Sequence, residues 1–362
     1  MLLAIDGNSL LHRAHHAWDG SGEIDRDGRP TWGSRGLLGF IAAAAARVRP
    51  EALVVGFDCL EHSVRKAEFP GYKAQRPDKS ADLEAQATGA PVLLRDAGMQ
   101  VVTARGYEAD DVLASAAALA RDGGWRAVLV TSDRDSFALI DATTSVLRVM
   151  NGGIEDSPLV TPETVSEIFQ VTPGQYRDFA ALRGDPSDNL PGAPGVGEKT
   201  AARLLSVFSG LDAVYDAIDG GRIADVAAVV GPLVTARLAT DDVRAELERN
   251  RRLMTMRSDL DLPDLAALRL PLDAERLAAV LSARDIRLGY SPWALVGDDP
   301  PPWTPNGFDR PPKPLPRVES GAWLTDWLNT VQPLPAIRSS RPVRRRTGGR
   351  PRPVSPGQLQ LF

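Results

Sequence analysis

The chain has 362 residues, 43% of them hydrophobic, and a formal net charge of −5. That length suggests two or three domains with ample material for a core. No stretch reaches the roughly 18 apolar residues needed to cross a membrane, no signal-peptide pattern opens the chain, and the single cysteine, Cys59, excludes a disulfide within it, so a cytoplasmic protein is expected.

In chain order, "MLLAI" (1–5), "ALVVGF" (52–57), "MQVVT" (99–103) and "RAVLVT" (126–131) are short Val/Leu-rich runs of the kind buried in parallel sheets. Helical patterns at about 33–48, 83–97 and 109–121 lie between them, which gives an α/β sheet with helices on both faces over residues 1–160. Cys59, between Asp58 and Leu60, is expected to be a small buried filler. Residues 60–82 are basic and broken by Pro and Gly, and are expected to form a mobile loop or arch. From about 161 to 295 the pattern is helical. "EKTAARLLSVF" (198–208) places Ala201, Leu204, Leu205 and Phe208 on one face.

Beyond 296 the composition changes. The last 67 residues hold 14 of the 29 prolines and are expected to be disordered, with a short amphipathic helix at 321–331. They carry ten Lys+Arg and five Asp+Glu, whereas residues 1–295 carry 32 and 42. A net acidic body argues against binding nucleic acid unless the acids are gathered in a metal pocket, so their positions matter more than their sum.

Those positions are patterned. Asp6 closes the first strand, Asp58 follows the second, and Asp133 and Asp135 follow "LVTS". The carboxyl ends of parallel strands form the ligand crevice of such sheets. Glu108, Asp110 and Asp111 begin a helix on the same side, and Asp185 and Asp188 sit in "LRGDPSDNLPG". Any one of them could be a helix cap or turn residue. Nine convergent carboxylates repel one another unless cations neutralise them, and oxygen-only ligands suit Mg²⁺ or Mn²⁺. His12-x-x-His15-His16 has the spacing of a helical zinc pair, but no third ligand is evident. "GAPGVGEKTAARLL" is not a P-loop, because Glu198 separates Gly197 from Lys199. It reads as a hairpin between helices, with Gly192, Gly195 and Gly197 aiming N–H groups at a phosphate.

The stretches "AIDGNSLLHRA", "VVGFDC", "YKAQRP", "GYEADD", "VTSDRDSFALI" and "LRGDPSDNLPGAPGVGEKTAARLL" occur in this order over residues 1–293. Together they resemble the 5′→3′ exonuclease/flap endonuclease family, in particular the N-terminal exonuclease domain of bacterial DNA polymerase I and its stand-alone relatives. The resemblance implies a PIN-like nuclease fold followed by a helical DNA-binding region with a helix-hairpin-helix-type (H3TH) motif at about 182–208. It implies a first metal cluster of Asp6, Asp58, Glu108, Asp110 and Asp111 and a second of Asp133, Asp135, Asp185 and Asp188. It further implies two-metal hydrolysis of 5′ flaps and 5′ ends in replication and repair.

The resemblance assigns Lys73 and Arg76 to the scissile phosphate, Tyr72 to stacking on a base, and Arg65, Lys199 and Thr200 with the hairpin glycines to DNA contact, with K⁺ at the hairpin. Arg134 stands where Lys is usual, His15 and His16 where aromatics are common, and Trp32 where a small residue is usual. The chain end "QLQLF", with Gln358, Leu359, Leu361 and Phe362, resembles the bacterial sliding-clamp-binding peptide. A monomer acting at the nucleoid is expected. A PIN-type ribonuclease and a non-catalytic DNA-binding adaptor are the alternatives.

Overall fold

A computed structural model describes residues 1–19, 21–288 and 291–300. The expected helix at 321–331 and the peptide Gln358–Phe362 lie outside the described residues. β1 (Leu2–Asp6) runs straight into α1 (Gly7–Trp18), for which Asp6 is the N-cap. α2 (Trp32–Val48), β2 (Ala52–Phe57), α3 (Val64–Glu68), α4 (Ala81–Asp96), β3 (Val101–Thr103), α5 (Ala109–Asp122), β4 (Ala127–Thr131), β5 (Thr144–Arg148) and β6 (Leu159–Val160) follow. The predicted strands and helices fall within about two residues of these bounds. α1, α3, β5 and the two-residue β6 were not anticipated.

The sheet order is β3-β2-β1-β4-β5-β6, parallel throughout except for antiparallel β6. β1 lies in the middle and every residue of it is buried, as a strand covered on both faces requires. Leu3, Ile5, Leu53, Val55, Val128 and Val130 point into one core with Leu10, Leu11, Leu37, Ile41 and Leu94 from α1, α2 and α4. The opposite face meets α5, and Gly56 lets it come close: a Cβ there would press on Val112.

A second body of helices follows: α6 (Pro162–Phe169), α7 (Pro173–Arg183), then the two-residue strands β7 (Gly184–Asp185) and β8 (Leu190–Pro191), α8 (Glu198–Val207), α9 (Leu211–Asp219), α10 (Ile223–Val230), α11 (Pro232–Leu238) and α12 (Asp241–Leu253). Ala201, Leu204, Leu205 and Phe208 are buried, on the face the periodicity gave them. Phe137, Phe169, Tyr176 and Phe179 pack ring against ring at 5.3–5.9 Å. This cluster fixes the 3₁₀ turn after β4 (Asp135–Leu139) against α7.

Three expectations differ from the structure. Residues 60–82 are not featureless: Ser63 caps α3 by accepting from Lys66 N–H. Residues 161–295 are not one region. Leu53 donates to the Leu268 carbonyl and Leu270 to that of Glu51, and α13 (Ala274–Ala283) and α14 (Trp293–Val296) lie on α4 and α2. Their apolar residues Leu268, Leu277, Ile286 and Leu295 are buried there. Cys59 is half-buried, because β2 ends at Phe57 and the chain has already left the sheet. Among the described residues, no helix is long and apolar enough to cross a membrane.

Gly192 is decided by packing. A Cβ at this position would overlap the backbone of Arg183 and Gly184. Gly192→Ala is therefore expected to destabilise the chain by about 1–3 kcal/mol, read as a lower urea midpoint with an unchanged slope.

Candidate metal centre

Because β2, β1 and β4 are neighbours and parallel, their carboxyl ends bring Asp58, Asp6 and Asp133 side by side. Each is held by local donors. Asp6 accepts from Ser9 N–H at 2.8 Å and the Thr131 hydroxyl at 2.7 Å. Asp58 accepts from Asn8 Nδ2 at 2.8 Å and Ala109 N–H at 2.8 Å. Asp133 accepts from Asp135 N–H at 2.9 Å. Asp185 receives the Ser187 N–H and hydroxyl at 2.8 and 2.7 Å. Sequence reasoning passed over Asn8, Thr131 and Asn189; their signal was that each stands one or two positions from a chosen acid.

Electrostatics tie the acids into one field. Burial, then the charges of Asp58 and Asp133, push the Asp6 carboxyl up to about 7, over the opposing hydrogen bonds from Ser9 and Thr131. Burial and the charges of Asp133 and Asp6 raise Asp110 well above the usual carboxylate range. Burial and Asp133, Asp185 and Asp188 do the same to Asp135. Asp133 thus faces both groups of acids. Asp110 Oδ1 is buried without a hydrogen-bond partner. A buried, unpartnered carboxylate oxygen in an all-oxygen set fits a hard divalent cation. No three of the acids converge into a closed ligand shell among the described residues. Cations sit against them.

Two of those cations are Lys73 and Arg76. Lys73 Nζ lies 2.8 Å from Glu108 Oε2 and 4.0 Å from Asp188 Oδ2, and Arg76 Nη2 lies 2.7 Å from Asp188 Oδ1. Burial opposes the charge on Lys73, but Asp188 and Glu108 outweigh it and raise its pKa. The backbone around Lys73 is held in place: Lys73 N–H donates to the Asp188 carbonyl at 3.0 Å and Asn189 Nδ2 to that of Gly71 at 2.8 Å. Lys73 and Asn189 both adopt left-handed backbone, with φ 55 and 58.

Three assigned roles do not match this geometry. Tyr72 is 3% exposed and donates its hydroxyl to Glu108 at 3.1 Å, so its ring is not offered to a base. Asp111 is fully buried and turned away from Asp110. Its Oδ1 accepts from Arg65 and Arg257 N–H at 2.8 Å each, and its Oδ2 from Arg65 at 2.7 Å and Glu108 N–H at 2.9 Å. Four donors leave no lone pair for a metal. Arg65, spent on that pair, is not a surface cation. His15 is buried against Trp32, with ring centroids 5.5 Å apart, and edge-on to His16, an aromatic packing rather than a ligand set.

At the helical hairpin, Gly195 has φ +85 and Gly197 caps α8. Lys199 is exposed and Thr200 half-buried on its first turn. Arg183 and Arg134 hold Glu198 at 3.5 and 3.6 Å.

A family model for the 5′-3′ exonuclease N-terminal resolvase-like domain matches residues 1–170, and one for the 5′-3′ exonuclease C-terminal SAM fold matches 171–275. The chain belongs to the 5′-3′ exonuclease family. DNA polymerase I of Mycobacterium tuberculosis is 35% identical to this member over 293 residues, 79% of the chain and 31% of that protein. Thermostable DNA polymerase I of Thermus aquaticus is 32% identical over 336 residues, 92% of the chain and 36% of that protein. The chain thus spans about a third of these curated relatives' length. Among solved structures, the T5 D15 protein co-crystallised with metal ions superposes with TM-score 0.56 at 19% identity, over 79% of this chain and 97% of that one. Human GEN1 in complex with Holliday junction DNA gives 0.52 at 16%, over 79% and 68%. The two likenesses show a shared fold.

The raised acids give a sign for pH and metal effects. The folded chain binds protons on Asp6, Asp110 and Asp135 more tightly than an unfolded chain, where Asp titrates near 3.9. Stability is therefore gained as pH falls through about 7. In EDTA, the melting temperature is expected to be about 3 °C or more higher at pH 6 than at pH 8. Mg²⁺ is expected to raise it more at pH 8, because ligands must be deprotonated. Scanning fluorimetry checks both. A flat EDTA profile would mean that the acids are not mutually repelling.

Proposed function

We propose that this chain is a divalent-metal-dependent, structure-specific 5′ nuclease that cuts DNA at 5′ flaps and 5′ ends. The observation that carries this reading is one field of acids: Asp6, Asp58 and Asp133 end neighbouring parallel strands, Asp110 feels the charges of Asp133 and Asp6, and Asp135 feels those of Asp133, Asp185 and Asp188, with Lys73 and Arg76 against Glu108 and Asp188. Those acids would hold two ions, Mg²⁺ or Mn²⁺. When bound, two such ions make a water nucleophilic near neutral pH and stabilise charge on the reacting phosphate.

The remaining steps belong to the chain's own residues. Lys73 and Arg76 place positive charge where the scissile phosphate gains negative charge. Tyr72 orients Glu108 through its hydroxyl. Gly195, Gly197, Lys199 and Thr200 present α8's N-terminal turn to a duplex phosphate, a contact that grips DNA without reading sequence. K⁺ at that hairpin belongs to the same proposal, as does action at the nucleoid.

The test is Mg²⁺-dependent cleavage of a 5′-flap DNA beside a matched RNA flap. DNA cleavage with a 5′-phosphate product supports the reading. Preference for RNA would favour the ribonuclease, and DNA binding without cleavage the adaptor. The Gln358–Phe362 peptide is proposed to tether the nuclease to a sliding clamp through the Leu and Phe side chains. Deleting residues 358–362 is expected to abolish clamp binding by calorimetry while flap cleavage without clamp stays normal; micromolar clamp affinity surviving the deletion would refute the tether.

A further inference from the structure

The pair Arg65–Asp111 borders the candidate metal centre, and the four donors on Asp111 leave it no lone pair for a metal. Arg65 comes from α3, the first helix of the arch, and Asp111 from α5, the helix that carries Glu108 and Asp110. Their contact is a two-pronged guanidinium–carboxylate pair with N–O distances of 2.7 and 2.8 Å, 11% and 0% exposed. The other donors of Arg65 reach the helical region: Nε donates to the Leu253 carbonyl at 2.8 Å and Nη2 to that of Thr255 at 3.4 Å. Asp111 in turn accepts from Arg257 N–H.

The pair sits inside a continuous strap. Residues 249–260 cross α3 and then α5. On α3, the Arg249 guanidinium stacks 4.3 Å over Phe69 and Arg252 pairs with Glu68 at 2.9 Å. On α5, Ser115 Oγ donates to the Arg257 carbonyl at 3.1 Å and accepts from Leu260 N–H at 3.1 Å. The strap leads out of α12. It therefore joins the helices that would grip duplex DNA to the arch base and to the acid-bearing helix, with Arg65–Asp111 where all three meet. Arg65 Nη1 also lies 3.5 Å from Glu108 Oε2, the atom that receives Lys73 and Tyr72.

We propose that Arg65 and Asp111 are positioning residues: a buried joint that holds the arch base, and through it Tyr72 and Lys73, in register with Glu108 and Asp110 while the helical region grips DNA. This rests on the nuclease reading. The joint predicts a defect in rate rather than in binding, because misplacing a group at the reacting phosphate by about 1 Å costs on the order of 10²-fold.

The experiment uses the full chain and the variants Asp111→Asn and Arg65→Lys, which keep size or charge but cannot keep the two-pronged pair. The readouts are Mn²⁺ stoichiometry by calorimetry, single-turnover flap cleavage, flap affinity, and hydrogen exchange at the Glu108 and Arg257 amides. Asp111→Asn is expected to keep the wild-type number of bound Mn²⁺ ions and flap affinity within about 3-fold, and to cut about 10²-fold more slowly. The Glu108 and Arg257 amides are expected to exchange at least about tenfold faster. Arg65→Lys is expected to fall between it and wild type. Loss of one Mn²⁺ in Asp111→Asn would make Asp111 a ligand. Weakened flap binding at an unchanged rate in Arg65→Lys would make Arg65 a DNA contact. Either result, or unchanged amide protection, overturns the joint. If wild type cuts no flap, the nuclease reading fails by itself, and exchange at the two amides still decides the joint.

Discussion

Asp110→Ala is expected to lower Mg²⁺-dependent flap cleavage by about 10³-fold or more while the EDTA-treated protein becomes harder to unfold. The two effects share a cause. Asp110 is pushed toward its neutral form by burial and by the charges of Asp133 and Asp6, and one of its oxygens is buried without a partner. A carboxylate held in that way is a cost to the fold, and removing it relieves repulsion. If it ligates, its loss also removes several kcal/mol of charge stabilisation in the transition state, and each 1.36 kcal/mol is tenfold in rate. Single-turnover cleavage and urea unfolding in EDTA are the measurements. A variant that loses activity together with stability would place Asp110 among the structural acids, and one that cuts at the native rate would remove it from the metal centre.

Lys73→Ala is expected to reduce single-turnover cleavage by about 10²–10³-fold, the range for deleting one positioned group that stabilises transition-state charge, with flap affinity changed less than about 3-fold. Lys73 reaches both Glu108 and Asp188 and is held there by a left-handed backbone and by Asp188's own carbonyl. On the proposed function it would be one charge among many facing DNA, so binding has little to lose, while at the reacting phosphate it would act with Arg76 alone among the residues proposed for that role. Arg76 is half exposed, and Arg76→Ala should cost less. Weaker flap binding with an intact rate would assign Lys73 to the general electrostatic surface.

The parts that depend on order along the chain were legible without a structure. Runs such as "ALVVGF" are strands because continuous apolar, β-branched residues suit a doubly covered sheet. Once β1, β2 and β4 are parallel neighbours, an acid at each strand's end must arrive at the same edge. Asp6, Asp58 and Asp133 were therefore legible, as was the buried face of α8.

Which way equivalent residues face, and what covers them, depends on packing between distant segments. Asp110 and Asp111 are adjacent and chemically identical, yet successive residues on a helix point about 100° apart. One faces the acids across the sheet; the other meets Arg65 from 46 positions upstream. Tyr72 reads as a stacking ring until Glu108 is found at its hydroxyl. Residues 268–296 read as more helical region until their backbone joins Glu51 and Leu53. In each case the deciding partner is far away in sequence, and local pattern carries no record of a contact that forms only when distant segments pack.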